Sequence, residues 1–104
     1  MYGMLSVTSV RCPMAKSTVL ARDNFVRLAI EHADLAVRHH TEMMQIDPKF
    51  AHRETLRIER NREAGRAMEC YKLAIQAAER EGVEYLVHDA LREPIMGRRV
   101  HRWL

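Results

Sequence analysis

The stretch STVLARDNFVRLAIEHADLAVRHHTEMMQI, Ser17–Ile46, decides the fold. It holds neither Gly nor Pro, and its apolar residues recur with the helical period. Projected on a helical wheel, Asp23, Asn24, Arg27, Glu31, Asp34, Arg38, Thr41, Glu42 and Gln45 gather on one polar arc of about 100°. Phe25, Val26, Leu28, Ala29, Ile30, Ala33, Leu35, Ala36, Val37, Met43, Met44 and Ile46 fill the remainder. A helix lying on a single surface needs an apolar stripe only a little wider than about 100°, and this one has roughly twice that. The pattern therefore predicts a helix covered from more than one side.

Working outward, Asp47-Pro48 is a break and a restart. Asp47 can cap a new helix and Pro48 fits a first helical position, where its missing N–H costs nothing. The second helix then runs to Glu81, with Gly82 as its C-terminal cap. The spacing thus predicts an all-α protein: an antiparallel hairpin of two long helices, about 18–46 and 48–81, joined by a loop too short for any other arrangement. Val83–Glu93 reads as a compact amphipathic helix, and Ile95–Leu104 as one last turn or two. These short helices cover only part of the broad apolar faces, so two hairpins are expected to pair as a homodimer into a four-helix-type bundle.

The chain has 104 residues, the size of one domain, with 47% hydrophobic and 30% charged residues. Four Gly and three Pro are too few for the many turns of an all-β fold. No apolar run is long enough for a membrane span, so no membrane partner is expected. Residues 1–13 (MYGMLSVTSVRCP) lack helical period and a basic n-region, and read as a flexible extension ahead of a helical domain at 14–104. Two cysteines, Cys12 and Cys70, make no disulfide framework, which favours a reducing, cytoplasmic setting.

The second helix changes character along its length. From Ala64 to Ala78 an apolar set including Ala67, Met68, Tyr71, Ala74 and Ile75 follows helical spacing. On the same face the earlier half places Arg53, Arg57 and Arg60, with Arg62 and Arg66 close by. The switch falls at Asn61–Gly65, where a bend is the alternative to one continuous helix. Guanidinium groups suit bidentate recognition of carboxylate or phosphate. Against a binding role, Glu54–Arg57, Glu59–Arg62 and Glu63–Arg66 are i, i+3 pairs that neutralise much of the strip. The same interleaved glutamates would repel a nucleic-acid backbone.

A second basic patch, Arg98, Arg99 and Arg102, surrounds Trp103. An aromatic amid positive charge is compatible with stacking on bases, or else the indole anchors the tail to the core. His32, His39 and His40 fall within the apolar arc of the first helix, and protonating them there should weaken packing, which makes a pH-sensitive interface of them. Ligand spacing for a metal is missing: neither Glu-x-x-His nor His-Glu-x-x-His occurs. No nucleophile, Gly-rich phosphate loop or Cys-x-x-Cys pair is present, so no catalytic residue and no cofactor are expected. The formal net charge of +3 favours an acidic partner. The sequence thus points to a non-enzymatic, homo-oligomeric interaction or regulatory module that binds an acidic protein surface through its Arg-rich helix face. A nucleic-acid-binding protein using the same strip and the basic C-terminus is the alternative.

Overall fold

In the computed structural model the backbone is described from Tyr2 to Leu104, and side chains from Leu20 onward. Helix α1 spans Tyr2–Met44 and α2 spans Ala51–Glu79. Helix α3 spans Glu84–Leu91, followed by a π-helical turn, Arg92–Gly97, and a 3-10 turn, Val100–Trp103. The two long helices pack against each other as a hairpin, and the chain is all-helical over the described residues. Helix α1 begins far earlier than residue 18. Once a helix is nucleated, each added residue other than Pro13, which lacks an N–H, gains a hydrogen bond, so propagation needs no amphipathic period of its own. Residues 2–13, expected to lack helical period, and the boundary expected at Met14 both fall within α1.

The hairpin connection differs from the expected capped restart. Asp47 does not cap α2, which starts at Ala51 with Phe50 at the N-cap position and no side-chain cap. Asp47 through Phe50 form a tight turn instead, closed by the Phe50 N–H on the Asp47 carbonyl at 3.0 Å. The Asp47 carboxylate accepts the Lys49 N–H at 3.1 Å. Pro48 takes the second position of that turn, where its fixed φ is already right. Helix α2 is continuous through Asn61–Gly65. Its far end terminates as expected: Gly82 adopts φ +68°, the Val83 N–H bonds the Ala78 carbonyl and the Gly82 N–H bonds the Glu79 carbonyl. That pattern is a Schellman motif.

The helix–helix seam is built from small residues. Ala29, Ala33 and Ala36 of α1 and Ala64, Ala67, Ala74 and Ala78 of α2 are all fully buried. Methyl-sized side chains let the axes approach to the short end of the usual range, about 8 Å. Bulk comes from the C-terminal segment, whose Val87, Leu91, Ile95 and Val100 are the largest fully buried side chains. They close one flank, where Val26, Ile30 and Val37 of α1 and Met68, Tyr71 and Ile75 of α2 pack against the core. The opposite flank carries a shallow cleft lined by Ala21, Phe25, Leu73, Gln76, Ala77 and Arg80, all from α1 and α2. Polar clamps fix the assembly: Arg22 binds Glu81 at 2.9 Å, and Arg98 binds Asp34 at 2.7 Å. Among the described residues, no helix is long and apolar enough to cross a membrane.

Candidate functional site

The closed end of the hairpin gathers the basic residues, but it gives them different work. Arg53 donates its Nε–H to the Met43 carbonyl at 3.2 Å, a second bond beside that from the Ile46 N–H at the C-terminus of α1. Arg57 is exposed and forks onto Glu54, with contacts of 2.9 and 2.5 Å. That bond holds the Glu54 carboxyl below its ordinary range and raises Arg57. Arg66 is tied to Glu63 at 2.7 Å, while Arg62 is exposed. Arg53, Arg57 and Pro48 share a cleft of about 230 Å³ with Met43 and Glu54.

Arg60 is different. It is half-buried, and among the described residues it has no carboxylate partner. Its Nε–H bonds the Asn61 side chain at 3.0 Å, and its Nη1 reaches His40 Nδ1 at 2.9 Å. The guanidinium carbon lies 5.1 Å from the centroid of the Trp103 ring. Trp103 in turn stacks on His40, with centroids 4.8 Å apart and planes at 26°. Burial, then the nearby Arg57 charge, lowers the Arg60 value; burial, then Arg60, lowers that of His40. The structure thus joins two regions that the sequence keeps apart, the strip on α2 and the basic tail, through one Arg–His–Trp cluster.

The rest of the tail is split. Arg98 is held by Asp34 and by the Pro94 carbonyl, the latter at 2.7 Å. Arg99 sits in the left-handed region at φ 60°, which turns the chain into the 3-10 segment. Arg102 is exposed. Of the three histidines expected on an apolar interface, none has purely apolar surroundings. His32 Nδ1 meets Glu63 at 2.6 Å, His39 Nε2 lies 3.9 Å from Glu59, and His40 meets Arg60. The His39 Nδ1 atom is buried without a hydrogen-bond partner. Helix–helix polar pairing, set by glutamates one turn apart on α2, replaces the uniform apolar setting that the wheel implied.

Elsewhere, Tyr71 Oη lies 2.6 Å from His88 Nδ1, a contact the sequence did not single out. Burial raises the Tyr71 phenol and the Cys70 thiol, and Cys70 is a free, half-buried residue on the flank of α2. Among the described residues no group of three or more His, Cys, Asp or Glu is placed to hold a metal ion. Comparison with protein-family models, with curated proteins and with solved structures finds no match to this chain.

Proposed function

We propose that this protein is a non-enzymatic helical interaction module that binds a carboxylate-rich protein surface through the basic end of its hairpin. The observation that carries the reading is Arg60: a half-buried guanidinium beside a second arginine, with no carboxylate of its own among the described residues. An incoming carboxylate would relieve that unbalanced charge and find exposed Arg62 and Arg102 as further donors. Arg53, Arg57 and Arg66 are occupied by Met43, Glu54 and Glu63 and contribute less. A nucleic-acid role draws less support, because the indole that would stack on bases already stacks on His40 and carries Arg60. Homodimerisation belongs to the same proposal. A second copy would cover the cleft between Phe25, Leu73 and Ala77 on the flank that the C-terminal segment leaves open.

Trp103 is the sole tryptophan, so its emission reports directly on this end of the molecule. The test titrates the full chain with a polyglutamate peptide and, separately, with duplex DNA, while light scattering records the mass. Saturable Trp103 perturbation by polyglutamate, weakened about tenfold or more in an Arg62→Glu, Arg102→Glu double variant, is the expected result. No response, or one indifferent to the charge reversal, overturns the site. A response to duplex DNA alone, falling steeply with salt, replaces it with the nucleic-acid reading.

A further inference from the structure

Helix α1, helix α2 and the C-terminal 3-10 turn each send one side chain to the same point: His40, Arg60 and Trp103. Arginine carries donors only, so the 2.9 Å contact from Arg60 Nη1 fixes His40 Nδ1 as an acceptor and leaves the ring proton on Nε2. A neutral imidazole can make that contact; an imidazolium cannot. We propose that His40 is the acid-sensitive catch of a C-terminal latch, whose protonation expels Arg60 and frees the Trp103 turn from the hairpin.

The charged group in contact with His40, Arg60, acts in this direction. From α2, His40 faces Arg60, with Arg57 one turn behind it and Glu54 already committed to Arg57. From the 3-10 turn it faces the Trp103 ring, flanked by His101 and Arg102. On α1 its neighbour His39 is directed to Glu59, and Met43 lies one turn on, its sulfur 3.9 Å from Arg60. No carboxylate among the described residues lies within ion-pairing distance of His40 to stabilise a charged ring. A charged imidazole could still lie over the indole, but not with a guanidinium at its Nδ1. One cation must leave, and the three-sided contact that holds the tail is lost with it. The depressed value of His40, from burial and then from Arg60, is what this geometry requires.

The tail can let go without unfolding the hairpin. Its own 3-10 turn is short, Leu104 is exposed, and Arg99 is strained in the left-handed region. Val100 is the turn's one fully buried anchor, so opening is expected to be local to Trp103 and Leu104.

The experiment follows Trp103 emission of the full chain from pH 8 to pH 5, with far-ultraviolet circular dichroism as a check on helix content. A red shift on acidification below the ordinary imidazole range, with helix content held, is expected. His40→Gln supplies a neutral acceptor that cannot titrate, and should keep the pH 8 emission throughout. An unchanged wild-type emission overturns the proposal, as does a full shift in H40Q. If H40Q fails to fold, two-dimensional NMR of the wild type decides: the His40 ring and the Trp103 indole N–H must titrate with one midpoint, and separate midpoints overturn the latch. Because no partner is added, this outcome is independent of whether the basic end binds carboxylates.

Discussion

Arg53, in the first turn of α2, closes the last turn of α1 by donating its Nε–H to the Met43 carbonyl at 3.2 Å. The final carbonyls of a helix have no partner within it, and they carry the negative end of its dipole. A guanidinium from the next helix answers both needs, and it fixes the angle at which the hairpin turns back. Replacing Arg53 by Met keeps the apolar stem and removes the donor and charge. The expected loss is about 1–2 kcal/mol in urea denaturation. Equal stability of Arg53→Met and wild type would show that the Ile46 N–H, which also bonds the Met43 carbonyl at 3.1 Å, suffices for the α1 terminus.

The alanine seam gives a sharper test. Ala33 and Ala67 are fully buried where the two long helices meet, and the seam has no room for a larger side chain. Ala33→Leu and Ala67→Leu should each cost about 1–3 kcal/mol by forcing the helices apart. Ala90→Leu, at an exposed position of α3, should lie within about 0.5 kcal/mol of wild type. Chemical denaturation of the three variants separates a seam of close contact from a merely apolar one. Comparable stability of all three would mean the interaxial distance is not set by these methyls.

How much of this was legible in the sequence depends on the range of the contact. The helical hairpin follows from the periodicity of Ser17–Ile46 and from Gly82, because both signals are local. The Schellman cap at Gly82 matches its sequence signature. Asp47 was misplaced for a local reason as well: Asp-Pro suits both a capped helix start and a tight turn, and the Lys49 and Phe50 N–H bonds select the turn. The cluster at the basic end could not be read in advance. His40, Arg60 and Trp103 stand far apart in the chain, and only the fold of the C-terminal segment brings the indole onto the histidine. Arg60 itself gave no hint, because it has Glu63 at i+3, and only the fold shows that this carboxylate engages Arg66 and His32 instead. The histidines were placed correctly on the inward arc, yet that wheel treats the partner helix as uniform. The glutamates at 59 and 63 make it otherwise.

Gly82 offers a prediction free of packing. A Cβ at this position would meet nothing within 4 Å, so any cost of adding one is a backbone cost. At φ +68° an L side chain is strained, and Gly82→Ala should lose about 1–2 kcal/mol. Gly82→Asn should lose less, because Asn tolerates the left-handed region. Thermal unfolding of the two variants checks the order. Should Ala prove no worse than Asn, the Schellman geometry at the end of α2 would be the wrong description.

Stability should fall with acid in two separate windows. His40 is depressed below its ordinary value near 6.5, by burial first and Arg60 second. The unfolded chain therefore takes up that proton more readily than the folded one. The contribution of His40 is present above about pH 6.5 and is lost as pH falls through the lower folded value. Glu54 is likewise depressed, by its hydrogen bond from Arg57, and its contribution is lost only as pH drops below the ordinary carboxylate range. Because Glu54 is fully exposed, salt should erode the second window far more than the first. Urea midpoints measured from pH 8 to pH 3.5, at low and high salt, should show both steps. His40→Gln should remove the first and leave the second, and Glu54→Gln should do the reverse. If the first step persists in His40→Gln, another imidazole carries it, and the Arg60 contact is not the acid-labile element of this fold.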